Sequence, residues 1–160
     1  MRAVTARARL GWKKLRECGE LLHEKRFSLK MKGRIYQSCV RFAMLYGSKT
    51  WSLKENEVAF LRQTERAVIR AMCCVKLMDK KNTEELMVML GLKETNKLAK
   101  ANSMCWYGHV LRREDDDILR MALCFKVEGQ RKRQWPRKTW KNQVEDEIKK
   151  IGLKKEVALN

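Results

Sequence analysis

The densest group of residues that could bind a charged ligand lies between residues 131 and 141. This segment holds six basic residues, two tryptophans and no acidic residue. Arg and Lys side chains bind phosphate, and Trp135 could stack on an unpaired base. The alternative is a solvated basic turn with Trp140 buried as the anchor of a helix. The predicted nucleic-acid-binding residues are Arg131, Lys132, Arg133, Trp135, Arg137, Lys138 and Lys141.

Two other groups could in principle do chemistry, but their spacing favours structural roles. Residues 114–117 are consecutive acids, which project in different directions, whereas a two-metal centre needs carboxylates that converge from separate elements. They are expected to cap a helix. His109 has no Ser, Cys or Asp partner at a recognisable spacing, which favours a packed, hydrogen-bonded residue over an acid–base catalyst. We therefore expect no catalytic residue, no metal and no cofactor in this chain.

The composition makes polyanions the expected partners. The 160 residues carry 37 Lys and Arg against 19 Asp and Glu, a formal net charge of +18. Such an excess favours RNA or DNA, bound through the phosphate backbone. A protein partner, an anionic membrane surface or a merely solvated basic surface are the alternatives. No apolar run approaches the roughly 18 residues of a membrane span. The basic N-terminus lacks a secretory apolar region, so a nuclear or otherwise cytoplasmic protein is expected.

The six cysteines do not form a recognisable metal or disulfide pattern. There is no C-x-x-C pair, and neither His23 nor His109 completes a zinc-finger spacing. Cys39, Cys73 and Cys105 fall among apolar residues. Small buried thiols in a reducing compartment are therefore expected.

Apolar residues recur at helical spacing through the N-terminal half, and no clear strand pattern appears. Residues 3–27 are predicted to be helical, with a break near Gly11 or Gly19. A second helix is predicted over residues 29–46, with Gly47 as its left-handed cap. Its expected apolar stripe consists of Ile35, Cys39, Phe42 and Tyr46.

Local signals place the ends of the central helices. Ser52 and Glu55 have the spacing of a capping box, which predicts a long helix from there to about residue 75. Its expected inner face consists of Val58, Leu61, Glu65, Val68, Ile69 and Met72. Asn82 and Gly91 predict the start and end of a short helix. A helix over residues 95–113 follows, with Leu98, Ala101, Cys105 and Val110 expected to face inward.

The C-terminal third is predicted to contain two further helices. Residues 115–117 precede a short amphipathic helix with Ile118, Leu119, Ala122 and Phe125 on its apolar face. Residues 128–134 are expected to form a loop, and Pro136 suits the first turn of the last helix. The prediction is an all-α fold, an irregular bundle of six or seven helices with a basic loop before the last one. Residues 1–127 and 128–160 are its expected parts.

Three motifs, in this order and at about this spacing, resemble a known family. They are LYGSKTW at residues 45–51, CWYGHV at residues 105–110 and PRKTW at residues 136–140. The chain resembles the C-terminal region of the reverse-transcriptase polyproteins of non-LTR (LINE-type) retrotransposons, from about residue 10 to about residue 153. In that family the region follows the polymerase palm. It looks like the helical thumb plus a basic extension, which hold template RNA and target DNA during target-primed reverse transcription.

The resemblance implies nucleic-acid contact without catalysis by this chain. The paired aspartates of the palm and the endonuclease lie upstream in such polyproteins, so no catalytic residue is transferred. The expected function is that of a basic, retrotransposon-derived, nucleic-acid-contacting helical fragment. Three alternatives remain: a piece of an active RNA-directed DNA polymerase whose palm is missing from this chain, a domesticated protein–protein interaction domain, and a degenerate gene product with no function.

Overall fold

The described part of the chain is built from helices and turns. The computed structural model describes residues 2–24, 26–79, 81–125 and 139–152, and it contains no strand in these ranges. The helices are α1 (Arg2–Glu17), α2 (Gly19–His23), α3 (Leu29–Ile35), α4 (Phe42–Leu45), α5 (Glu55–Met72), α6 (Thr83–Leu90), α7 (Thr95–Leu111), α8 (Ile118–Cys124) and α9 (Trp140–Lys150). A π-helical turn, Tyr36–Arg41, joins α3 and α4 into one rod. The predicted all-α class is confirmed, with eight helices in the described ranges when this rod is counted once.

The chain divides into two compact units. The first unit consists of Met1–Tyr46 and Lys54–Leu98, and the second of Gly47–Leu53 and Ala99–Asn160. The predicted division between residues 127 and 128 falls outside the described residues and stays a prediction. No helix of the described ranges is both long and apolar enough to cross a membrane.

Helix α5 contributes Leu61, Val68, Ile69 and Met72 to the core of the first unit. Its buried face follows the predicted one closely, with Glu57 and Thr64 added and Val58 only half-buried. The helix packs against α1 and α6, and the core also takes Tyr36, Val40 and Met44 from the rod. In α1, Val4, Ala8 and Leu15 turn inward, as the helical period requires. The predicted break near Gly19 is confirmed, because α1 ends at Glu17.

The predicted apolar stripe of the second helix is wrong in its C-terminal half. Phe42 and Tyr46 are exposed, while Tyr36, Val40 and Met44 are buried instead. The π-helical turn explains the difference, because it holds one more residue than an α-helical turn and so rotates the residues that follow it. Two large aromatic side chains are thereby left on the surface.

Several of the predicted helix ends are confirmed, but the start of α5 is not where the sequence placed it. The Asn82 side chain accepts a hydrogen bond from the Glu84 amide, and Gly91 ends α6 with φ of +67°. Gly47 likewise has φ of +76° after α4. The predicted capping box at Ser52 is wrong, because α5 begins at Glu55.

The N-cap of α5 is Lys54, which lies two residues beyond the predicted cap at Ser52. Glu57 accepts a hydrogen bond of 3.0 Å from the Lys54 amide. This hydrogen bond is the main reason why the pKa of Glu57 lies below its usual range. The same carboxylate lies near the positive end of the helix dipole, which adds to its stabilisation of the first turn.

A small core in the second unit holds α7 and α9 together. Tyr107, Val144 and Ile148 are its buried members, and Trp140 packs against them with its ring edge-on to Tyr107, as its predicted core role requires. The Tyr107 hydroxyl donates a hydrogen bond of 2.8 Å to Glu145. Burial and this carboxylate raise the pKa of Tyr107 above its usual range.

Two predicted apolar faces in the second half of the chain differ from those observed. In α7, Ala101 and Cys105 are exposed, and Ala99, Ser103 and Tyr107 are buried. The buried face of α7 can include the polar Ser103 because its hydroxyl lies within hydrogen-bond distance of two carbonyl oxygens, those of Ala99 and Ser48. In α8 the whole predicted apolar face is at least partly exposed, and only its Leu123 packs on the core.

Gly33 allows a close approach between α3 and α6. A Cβ atom built on Gly33 would lie 2.0 Å from the carbonyl oxygen of Leu90, a backbone atom that cannot rotate away. Gly33→Ala is expected to destabilise the protein by roughly 2–3 kcal/mol, in the upper part of the range for overpacking. At Gly19 an added Cβ meets nothing within 4 Å, so Gly19→Ala is the matched control. Urea unfolding measures both, and equal free energies of unfolding would contradict this packing.

Candidate nucleic-acid interface

Only one of the seven predicted nucleic-acid-binding residues lies in the described ranges. Lys141 is half-buried in the first turn of α9 and makes no hydrogen bond or ion pair with the described residues. The other six, Arg131, Lys132, Arg133, Trp135, Arg137 and Lys138, lie outside them. Helix α9 begins at Trp140, and the Thr139 side chain caps it by accepting from the Asn142 amide. That start is later than the predicted one at Pro136, which is itself outside the described residues.

A second candidate is the outer face of α1. Arg9, Lys13 and Arg16 stand at i, i+4 and i+7, on the side opposite the buried Val4 and Ala8. All three are exposed, and none makes a hydrogen bond or ion pair with the described residues. We call these three residues the basic face of α1.

The basic face of α1 keeps its charge because acids are scarce in this helix. The only acid of α1 is Glu17, which pairs with Lys14 at 2.7 Å. With a rise of about 1.5 Å per residue, the basic face extends over roughly 10 Å of the helix. Three cations in a row at this spacing suit the phosphates of a nucleic-acid strand.

A third candidate is a row of aromatic and basic side chains on α7 in the second unit. The rings of Trp106 and His109 are stacked, with centroids 5.2 Å apart and planes inclined by 25°. The Lys49 Nζ lies 5.5 Å from the centroid of the Trp106 ring. The segment that carries Lys49 is tied to α7 through Ser48, whose hydroxyl oxygen accepts a hydrogen bond from Asn102.

His109 also contacts a basic residue of this row. Arg113 Nη2 lies 3.2 Å from His109 Nε2. A guanidinium only donates, so Nε2 is the acceptor in this contact. The packed, hydrogen-bonded role predicted for His109 agrees with this geometry. Arg113 also lies 3.6 Å from Asp117, so part of its charge is already compensated. The row therefore offers a weaker anion site than the basic face of α1.

The acidic residues before α8 serve as a cap and as ion-pair partners. Asp117 accepts a hydrogen bond of 2.8 Å from the Leu119 amide, as the capping prediction requires. Asp115 pairs with Arg120 at 3.3 Å. Within the described ranges, no group of three or more His, Cys, Asp or Glu side chains could hold a metal ion.

The prediction that the cysteines are buried is wrong for Cys74, Cys105 and Cys124, which are exposed free thiols. The other three, Cys18, Cys39 and Cys73, are partly buried free thiols that pack against the core of the first unit. Cys105 illustrates the reason, because the inner stripe of α7 runs through Ala99, Ser103 and Tyr107 and leaves position 105 on the outside. The exposed Cys74 Sγ lies 3.5 Å from Nδ1 of His23.

Comparison of the chain with models of protein families, with curated proteins and with solved structures gives no match.

Proposed function

We propose that this chain is a nucleic-acid-contacting helical module without its own catalysis, which binds RNA or DNA through the phosphate backbone. The observation that carries the proposal is the basic face of α1, where Arg9, Lys13 and Arg16 are exposed and make no hydrogen bond, and no ion pair within 4.0 Å, with the described residues. Each cation placed on a phosphate releases condensed counterions, and this release drives binding regardless of sequence. The net charge of +18 and the resemblance to the C-terminal region of non-LTR retrotransposon polyproteins support the same proposal.

The proposal is tested by the salt dependence of binding. The protein is titrated against a labelled RNA and a labelled DNA of mixed sequence between about 50 and 200 mM salt, the range over which the counterion term changes strongly. Replacing Arg9, Lys13 and Arg16 with alanine should make the slope of log K against log salt less negative by about 2–3, since each phosphate contact contributes roughly 0.7–0.9.

A matched variant separates phosphate binding from loss of charge alone. Arg62, Arg66 and Lys97 belong to the same unit, but each lies within 4.0 Å of a glutamate, either Glu94 or Glu84. Replacing these three with alanine removes the same number of cations and should change the slope less. Equal slopes for the two triple variants would contradict a role for the basic face of α1.

A second candidate function, a protein–protein interaction domain, is favoured by α8. This helix exposes Ile118, Met121 and Phe125, which lie on one stripe at i, i+3 and i+7. Exposed apolar stripes of this kind are common at protein interfaces. Binding that persists unchanged across the salt range would support this function instead. That the chain is part of an active RNA-directed DNA polymerase stays a prediction of the resemblance. A nuclear location stays a prediction of the sequence.

A further inference from the structure

Two aromatic rings lie exposed on the surface of the first unit. Phe42 is 67% exposed and Tyr46 is 58% exposed. Their rings are in edge-to-face contact, with centroids 6.4 Å apart. The guanidinium carbon of Arg7 lies 4.6 Å from the centroid of the Tyr46 ring. We call Arg7, Phe42 and Tyr46 the aromatic patch.

The aromatic patch contributes little to the core of its unit. The π-helical turn directs Tyr36, Val40 and Met44 inward and leaves Phe42 and Tyr46 outside. Leaving most of a large aromatic side chain in water forgoes the free energy that its burial would supply. Such rings on a surface are typical of places that contact another molecule.

The charge around the aromatic patch selects the class of that molecule. Arg7 is the cation of the patch itself, whereas Arg9, Lys13 and Arg16 stand about 120–180° from it around α1, on the basic face. An anionic ligand with flat apolar groups would satisfy both Arg7 and the rings. Single-stranded nucleic acid has this composition, because its phosphates are charged and its unpaired bases present free π-faces.

We propose that the aromatic patch stacks unpaired bases of a single-stranded nucleic acid, with Arg7 beside the phosphates of the stacked bases. The inference rests on the proposed function and adds a preference for single strands over duplexes. Base pairs of a duplex are already stacked on one another, so they offer no free face to Phe42. The Phe42 ring has no polar atom, and stacking on it tolerates any base. Arg7 keeps its charge while covering one face of Tyr46, which places a cation beside the stacked base.

The test compares two ligands that differ only in their bases. One is a single-stranded DNA of mixed sequence, and the other is an abasic deoxyribose-phosphate oligomer of equal length and charge. Phe42→Ala and Tyr46→Ala in the full chain should each weaken binding of the base-containing strand by about fivefold to a hundredfold, the usual range for loss of one base–aromatic stack. Binding of the abasic oligomer should stay within about twofold, since its phosphate contacts are retained.

Two further variants act as controls. Phe125 is 74% exposed, so Phe125→Ala removes an equally exposed ring from elsewhere in the chain and should leave both affinities unchanged. Phe42→Trp keeps a stacking surface and should retain the affinity of Phe42 for the base-containing strand. Circular dichroism of each variant checks that helicity is unchanged.

Each other outcome overturns the inference. If the wild-type chain binds both oligomers equally and Phe42→Ala changes neither affinity, stacking is wrong although the proposed function stands. If the chain binds neither oligomer, the proposed function itself fails. A chain that dimerises in sedimentation, and that Phe42→Ala makes monomeric, would show that a second copy covers the patch. Photocrosslinking of a 5-iodouracil-substituted strand should attach it to Phe42 or Tyr46, and attachment only elsewhere would contradict the site.

Discussion

Replacing Glu65 with alanine is expected to lower the free energy of unfolding by about 3–5 kcal/mol, the usual loss when one partner of a buried ion pair is removed. Glu65 and Arg41 are both buried, and Arg41 Nη2 lies 2.7 Å from Glu65 Oε1. The carboxylate also accepts hydrogen bonds from the Tyr36 hydroxyl and from the amide and hydroxyl of Thr95. Urea unfolding of the full chain measures the loss.

The two partners of this ion pair are not equivalent, so the two single variants should differ in stability. Without Arg41, Glu65 keeps the donors from Tyr36 and Thr95. Without Glu65, Arg41 keeps the carbonyl oxygen of Lys93, at 2.6 Å, and the Tyr36 ring, whose centroid lies 5.1 Å from its guanidinium carbon, while its Nε atom has no hydrogen-bond partner among the described residues. Glu65→Ala should therefore destabilise the protein more than Arg41→Ala, because the buried charge that it leaves has fewer hydrogen bonds. The reverse order would contradict this account.

An exposed pair in the same unit provides the control. Arg66 on α5 and Glu84 on α6 also form an ion pair, with 3.2 Å between Arg66 Nη2 and Glu84 Oε1. Both of these side chains are largely exposed. Glu84→Ala should cost less than about 1 kcal/mol, as is usual for surface ion pairs. The double variant Arg41→Met with Glu65→Leu should be more stable than Glu65→Ala, since it leaves no unpaired charge in the core.

Helix ends in this chain could be predicted where neighbouring residues alone determine them. Asn82 and Gly91 bound α6 because a side-chain cap and a left-handed glycine act within a few residues. Ser52 carried the same kind of local signal, and there the prediction was wrong. The backbone before α5 makes a distant contact instead, since the Leu53 carbonyl oxygen accepts a hydrogen bond from Gln143. Ninety residues of sequence separation hide such a contact from local reasoning.

The buried network and the π-helical turn depend on tertiary packing, and local patterns did not predict them. The position of Glu65 on an otherwise apolar face of α5 was a visible signal that a buried partner existed. Its partner Arg41 lies 24 residues away, in a segment whose apolar residues suggested a different inner face. No proline or glycine lies within Tyr36–Arg41 to indicate a change of helical period.

For the candidate interface, the kind of partner and the place both stay predictions. Net charge indicated a polyanion partner, and local charge density favoured residues 131–141. In the sequence, the residues of the basic face of α1 are visible as basic residues four and then three positions apart. Its significance depends on which side of α1 is buried and on the scarcity of nearby acids, and the structure supplies both facts.

Residues 131–141 give the prediction with the largest effect on binding. If about four phosphates contact Arg131, Lys132, Arg133, Arg137 and Lys138, this segment contributes roughly −3 to −4 to the slope of log K against log salt. Replacing these five residues with alanine should remove that contribution. The counterion term vanishes at 1 M salt, so a tenfold lower salt concentration of about 0.1 M strengthens binding through this segment by roughly a thousandfold. The variant should lose this gain in affinity. Anisotropy titrations over a salt series measure it.

A control variant and the variant of α1 determine where the phosphates bind. Five cations that each lie within 4.0 Å of a glutamate form the matched control, namely Arg62, Arg66, Lys97, Lys100 and Lys150. Their replacement removes the same charge from residues that are already compensated, so the slope should change much less. An unchanged slope in the variant of residues 131–138, together with a flatter one when the basic face of α1 is replaced, would place the phosphate contacts on α1. Additive changes in the two variants would mean that both segments contribute to binding, because separate counterion-release contributions to log K add.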